Sequence, residues 1–230
     1  TVSAVSAIAP RTPPAAVYPL TGGRRPRRRC RVSSSACDSS GSAPGAGGCP
    51  QPAPPIAARL EARPGGIPAC RVCIAAPIGK PLPHAPRPVV RPSPTARLCI
   101  CGQAPGVRVH ASGTPFTDPS GERLRAWLGV SGEEFYDQAR VAIVPMGFCF
   151  PGHDAHGGDL PPRKECARTW HADLFAAMPQ LELILLVGSY AQQWHMPQTT
   201  QAGMTQNVRG WRTILGTRAK PRYLPLPHPS

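Results

Sequence analysis

RLCICGQAPGVRVHASGTPFTDPSGERLRAWL, residues 97–128, runs a buried-strand pattern straight into a turn of small residues that carries polar groups. Leu98, Cys99, Ile100 and Cys101 form an apolar run of strand length. Gly102, Gln103, Ala104, Pro105 and Gly106 break it with residues that let a backbone come close to a ligand. In an open α/β sheet, ligands bind in the crevice beyond a strand's carboxyl end. Read alone, GQAPG suits a plain tight turn equally well. Downstream, Gly113, Pro115 and Phe116 put an aromatic ring on a stiffened loop, and Ser120 is expected to cap a short helix. The apolar positions of that helix, Leu124, Trp127 and Leu128, share one face. A flat ring on a rigid loop beside a glycine-lined crevice suits a flat ligand such as a nucleobase.

Outward from this stretch, strands and helices alternate. Ser131 with Glu134 three residues on makes a capping box that opens a helix through Phe135, Tyr136 and Ala139. Val141 to Val144 is a short buried strand, and PMGFCFP at Pro145 to Pro151 leaves it for a loop of His, Asp and Gly. Cys166, Trp170, Leu174 and Met178 recur at helical spacing, predicting a helix from about Lys164 to Met178. Leu181 to Val187 is the most hydrophobic strand, and Gly188 and Ser189 turn it into a helix towards His195. Gln198 to Gly203 reads as polar loop, Val208 to Leu215 as helix, and Arg222 to Leu226 as a last strand delivering Pro227 to Ser230, PHPS. About four strands are countable, so the expected fold is α/β. It is a three-layer sandwich with a short, mostly parallel central sheet and helices on both faces.

Composition divides the chain. Of 32 prolines, 19 lie at or before Pro94, where no periodic pattern appears. Residues 1–95 carry 13 Lys and Arg against 2 acids, and residues 96–230 carry 13 against 10, so the net charge of +14 belongs mainly to the first part. Residues 1–58 read as a disordered Pro/Ala/Arg/Ser-rich tail, because too few large apolar side chains offset the entropy of ordering it. Residues 59–95 read as a Cys-containing, proline-rich connector and 96–230 as the folded domain, with a weak helical turn at Ile56 to Ala62 across the start of the connector. A basic tail fits an electrostatic hold on nucleic-acid phosphates, though such tails also occur without a specific partner. No apolar run of about 18 residues is present, which excludes a helical membrane span. Arg11 and the neighbouring prolines interrupt any export signal, while the Arg- and Ser-rich, acid-poor start also suits a transit peptide. The expectation is a monomeric, cytoplasmic, bacterial nucleoid-associated protein. In a reducing compartment, spaced cysteines suggest metal ligation before disulfides.

GQAPG followed by GTPF and SGERLRAWL resembles the first motif of the uracil-DNA glycosylase superfamily, and PHPS resembles its second, a His-Pro-Ser loop. The likeness covers roughly residues 70–230, and the two motifs stand in the family's order, each at a strand end. The resemblance implies a DNA base-excision repair enzyme that hydrolyses the N-glycosidic bond of uracil in DNA. Such an enzyme flips the nucleotide into a pocket that stacks the base and reads its edge. By resemblance, Phe116 stacks on the base, and Gly102, Ala104, Pro105 and Gly106 line the sugar and water site with Gln103 as its polar group. His228 donates to the uracil oxygen that gains negative charge. Pro229 and Ser230 press on the DNA backbone. No lysine is well placed in either motif for a Schiff-base step, so the expected reaction is monofunctional.

The departures also count. Many relatives carry an acid in the first turn for positioning water, whereas this chain has Gln103 and Ala104. Water activation then falls to backbone carbonyls or to His110, which equally suits a solvated loop histidine. Relatives that read uracil through an Asn have it near position 145, which here is Pro145, so base reading falls to backbone groups around Met146 and Gly147 or to another side chain. In the iron-sulfur branch a CxxC pair precedes the first motif and two cysteines follow the second strand. Cys70, Cys73, Cys149 and Cys166 keep that order and imply a 4Fe-4S cluster, with zinc as the alternative. Cys99 and Cys101 fit as small apolar strand residues, and Cys30, Cys37 and Cys49 sit in the tail. His153, Asp154, His156 and Asp159 form a polar, Gly-rich loop whose irregular spacing suits mobility better than metal ligation. Trp170 and Trp194 fall in apolar patterns and are expected in the core. The partner is DNA containing uracil or another damaged base. The competing expectation is a non-catalytic, cluster-bearing nucleic-acid-binding relative, or a chain cut short, since relatives continue past the His-Pro-Ser loop.

Overall fold

Four short apolar runs pair side by side into one all-parallel sheet. They are β1 (Leu98–Cys101), β2 (Val141–Ile143), β3 (Leu183–Val187) and β4 (Arg222–Leu226), in the order β2-β1-β3-β4. The computed structural model describes residues 66–230. The tail 1–58, the helical turn expected at Ile56 to Ala62, and Cys30, Cys37 and Cys49 lie outside the described residues. In register, Leu98 of β1 stands between Val141 and Leu183, and Leu183 stands beside Arg222. Strands buried on both faces need no polar alternation, which is why they read as continuous apolar runs.

The pleat sends alternate residues to opposite faces. Cys99, Cys101, Ala142, Val144, Ile184 and Leu186 pack on one side against Trp170, Leu174 and Met178. Ile100, Ile143, Leu185 and Val187 pack on the other against Leu124 and Phe135. The architecture is therefore α/β in three layers. Helices α1 (Val72–Ala75), α2 (Val107–Ser112), α3 (Pro119–Leu128) and α4 (Gly132–Tyr136) are followed by α5 (Lys164–Cys166), a π-helical turn (Ala167–His171) and α6 (Ala172–Ala176). Then come α7 (Ser189–His195), a 3-10 turn (Pro197–Ala202), α8 (Gly203–Arg209) and α9 (Trp211–Leu215). Among the described residues no helix is long and apolar enough to cross a membrane.

From residue 66 the proline-rich segment lies on the domain. Cys73, Leu82 and Val89 are buried. Arg91 exchanges backbone hydrogen bonds of 2.8 Å with Ile143, and the Val89 N–H donates to Phe148 O at 2.7 Å. The outer edge of β2 is thereby satisfied along part of its length. Glu165 accepts from the Ile78 N–H at 2.7 Å, and Arg163 donates to Lys80 O at 2.8 Å, fastening the segment to α5.

Cys99 and Cys101 are fully buried strand residues, as their pattern suggested. Other local expectations are corrected. Asp118, not Ser120, caps α3: its Oδ1 accepts from the Gly121 N–H at 3.1 Å and from Ser120 Oγ at 2.7 Å. Pro119 at N1 has no N–H to lose there, which moves the cap one residue ahead of it. The Ser131–Glu134 capping box forms, but its helix ends at Tyr136. The helix expected over 164–178 keeps Cys166, Trp170, Leu174 and Met178 buried, yet its π-helical turn adds His171 to the inward face. The polar loop expected at Gln198 to Gly203 is largely the 3-10 turn, and Gly210 divides the last helix in two. Trp194 is 40% exposed and Trp127 47% exposed, so the core position expected for Trp194 is corrected.

Candidate active site

All four strands point their carboxyl ends at one place. The chain leaves β1 for β2 on one side and later reaches β3 on the other, so the connections diverge beyond β1 and β3. That is the switch point where open α/β sheets hold ligands. A crevice of about 430 Å³ opens there, within the range of small-ligand sites. Its walls include Gly102, Gln103, Ala104, Pro105 and Gly106 from the turn after β1, Phe116, Pro145, and His228 with Ser230.

The turn is held by the loop after β2. The Met146 N–H donates to Gly102 O at 3.0 Å and the Gly147 N–H to Gln103 O at 2.8 Å. These two donors are thus committed to the turn, and neither residue lines the crevice. Met146 and Gly147 position the turn with their N–H groups, so of the backbone groups expected around them to read a base these two donors are already engaged. Gln103 lies across the end of β3: its Nε2 stands 2.9 Å from where a Cβ on Gly188 would be. With φ at +87°, Gly188 suits glycine on both counts.

Phe116 is placed with more force than its loop suggests. Its φ is +58°, a left-handed value that a bulky residue adopts only when surrounding contacts demand it. Its carbonyl accepts from Arg125 Nη1 at 3.0 Å and Tyr136 Oη at 3.1 Å, and Tyr136 Oη also donates to Pro115 O at 2.7 Å. The ring meets Phe135 edge-on at 5.8 Å between centroids, and its Cζ stands 3.1 Å from a Cβ position on Gly102. The result is a fixed aromatic wall.

His228 arrives from β4. The carbonyl of Leu226, at the end of that strand, accepts from the Gly188 N–H at 3.0 Å and from Gln192 Nε2 at 2.9 Å. Asn207 Nδ2 in turn holds Gln192 Oε1 at 3.2 Å. Arg123 on α3 donates to Pro229 O at 3.2 Å and to Ser230 O at 2.6 Å. Burial lowers the pKa of His228, against the opposing pull of the Asp118 and Asp159 carboxylates, so the ring is neutral at neutral pH. A neutral imidazole donates from one nitrogen only. Gln192 and Asn207 carried no motif signal, and Arg123, though inside the first motif, was given no role there; only the contacts reveal their support.

His110 is not brought to the crevice. Its ring faces His84 at 4.7 Å and Phe150 at 6.0 Å, and its backbone carbonyl accepts from Arg87 at 2.7 Å. Its pKa is lowered by burial and by the His84 ring and the Arg87 guanidinium nearby. Pro229 is buried and does not line the crevice. Asp118 and Asp159, neither assigned a catalytic role from the sequence, both line the crevice.

The four motif cysteines come from three separate segments and none is in a disulfide. Cys73, Cys149 and Cys166 are buried. A hydrogen bond between Cys73 and Cys166 holds the Cys73 thiol down to about 7 and raises that of Cys166, while burial pushes Cys149 up to about 12 in the presence of Cys73 and Cys70. Cys166 Sγ also accepts from the Phe148 N–H at 3.4 Å. As a donor type, free thiols suit an iron-sulfur group. Among the described residues no three His, Cys, Asp or Glu side chains group as ligands of a single metal ion. This includes His153, Asp154, His156 and Asp159.

Compared with known families, residues 90–230 match the family described as "UDG: Uracil DNA glycosylase superfamily", over more than half of the chain.

Proposed function

Because the chain belongs to the uracil DNA glycosylase superfamily, we propose that its crevice hydrolyses the N-glycosidic bond of uracil in DNA without a lyase step. Membership makes DNA glycosylase chemistry the general activity; uracil as the base and hydrolysis as the whole reaction are the finer reading. The observation that carries it is the gathering of the Gly102–Gly106 turn, the Phe116 ring and the neutral His228 around one crevice.

In this reading the flipped nucleotide enters past Phe116, whose fixed ring stacks on the base. The glycine-lined turn lets the deoxyribose approach the backbone closely. As the C1′–N1 bond breaks, its electron pair leaves on the base, and His228 donates a hydrogen bond to the oxygen where that charge collects. No lysine lines the crevice among the described residues, which supports water as the nucleophile. Cys70, Cys73, Cys149 and Cys166 are proposed to hold a 4Fe-4S cluster. Four thiolates in the order CxxC, Cys, Cys suit such a cluster, and zinc is the alternative occupant of the same set. The cluster would tie together the three segments that carry its cysteines.

The test is single-turnover excision on an oligonucleotide with one uracil, read by alkaline cleavage at the abasic site. His228→Ala is expected to lower the rate by about 10²–10³-fold, the usual cost of one anion-stabilising donor. No excision by folded parental protein, or an unchanged rate in the variant, would sink the reading.

A further inference from the structure

We propose that Asp159 is a catalytic residue of this crevice: its carboxylate orients the attacking water and takes its proton. The assignment rests on the glycosylase reading and supplies what that reading lacks. The turn after β1 offers Gln103, whose amide cannot accept a proton from water, and His110 faces away.

Two carboxylates line the crevice, and their commitments differ. Asp118 is the cap of α3, engaged with Ser120 Oγ and the Gly121 N–H. Asp159 comes from the far loop, and its two oxygens are divided. Oδ1 pairs with His153 Nδ1 at 3.2 Å. Oδ2 stands 3.2 Å from where a Cβ on Gly106 would be, directly against the glycine turn. No hydrogen bond to Oδ2 is present among the described residues, so the oxygen that faces the turn is free to accept from water.

The loop holds that carboxylate in place. His153 and Asp159 form an antiparallel bridge, and the Leu160 N–H donates to Gly152 O at 2.9 Å. Inside it, Asp154 Oδ1 accepts from the His156 and Gly158 N–H groups at 2.8 and 2.9 Å. The polar, Gly-rich stretch is thus a pinned hairpin that delivers one carboxylate. His153, across the same bridge, gives the half-exposed carboxylate an orienting partner at Oδ1.

The reaction balances as follows. The C1′–N1 bond breaks with both electrons leaving on uracil, and the sugar becomes an oxocarbenium ion. The water oxygen forms the new C1′–O bond as Asp159 Oδ2 takes one water proton. That proton passes to the departing uracil anion or to solvent, leaving uracil, an abasic site and the carboxylate restored. Phe116, His228 and Asp159 thereby divide stacking, leaving-group and water duties among three walls.

The experiment uses the full chain in the single-turnover uracil assay, with binding to the same oligonucleotide measured alongside. Asp159→Asn, nearly isosteric, is expected to lower excision by about 10²-fold or more, as loss of a general base does. DNA affinity should stay within about threefold, since base and phosphate contacts are untouched. In Asp159→Ala, added formate should restore part of the rate, which a structural role would not allow. Asp159→Asn excising at the parental rate, or an Asp159→Ala loss that formate leaves unrestored, overturns the assignment while the glycosylase reading stands. A parental protein that excises no uracil overturns both.

Discussion

Gly121→Ala is a one-carbon change on the helix behind Phe116, and its consequence can be worked out from the contacts. A Cβ at Gly121 would stand 1.9 Å from Phe116 O, 2.5 Å from its carbonyl carbon and 2.7 Å from its Cβ. Backbone cannot yield as a flexible side chain does, so the Phe116 carbonyl must move by on the order of 1 Å to reach an ordinary contact. That carbonyl accepts from Arg125 and Tyr136. Losing both bonds costs about 1 kcal/mol each, and overpacking adds roughly 1–3 kcal/mol. The expected destabilisation is therefore roughly 3–5 kcal/mol, or about 6–20 °C in Tm for a domain of this size. A ring displaced by on the order of 1 Å should also cost about 10²-fold in single-turnover excision. The control is Gly132→Ala, where nothing lies within 4 Å of the new methyl. Thermal melts and the excision assay, run below the variant's Tm, check both halves. A Gly121→Ala protein with parental Tm and rate would refute the packing argument. A lowered Tm with an unchanged rate would remove Phe116 from the chemistry.

Buried histidines make a second prediction. Burial lowers His171 to about 4 even though its Nε2 bonds Pro145 O at 3.0 Å, and burial together with His171 lowers His195 to about 3. Both folded values lie below the ordinary histidine value of 6.5, so the unfolded chain binds these protons more readily. Their stabilisation is complete above about pH 6.5 and drains as pH falls towards 4 and then 3, at about 1.4 kcal/mol per pH unit per proton. Urea midpoints between pH 7.5 and 4.5 should fall less steeply in His195→Phe, and parallel profiles would contradict this. If the four cysteines hold an iron-sulfur cluster, the protein is brown with absorbance near about 400 nm, and Cys70→Ala or Cys149→Ala bleaches it. Colourless, zinc-containing protein would decide for the alternative. Deleting residues 1–58 should weaken DNA affinity most at low salt and flatten the log–log salt slope; an unchanged slope removes the tail from binding.

Local chemistry was readable from residue order. Continuous apolar runs announced strands buried on both faces, the glycines after β1 announced a close-approach turn, and Ser131 with Glu134 announced a capping box that the structure contains. These features depend on neighbours within about one turn or one strand, so periodicity and spacing report them. The family motifs were legible for the same reason, since each is a short unbroken stretch at a strand end.

The division of labour around the crevice was not. Met146 and Gly147 donate to the turn from more than forty residues away, Asp159 meets Gly106 from more than fifty, and Arg123 reaches Pro229 across 106 positions. Such contacts depend on strand order and register, which place distant segments together only after the whole sheet has formed. Local pattern likewise assigned Ser120 the cap that Asp118 takes, and put Trp194 in a core that does not extend over it. Spacing along the chain carries backbone preference and burial; the meeting of a carboxylate, an imidazole and a glycine turn is a property of the packed sheet.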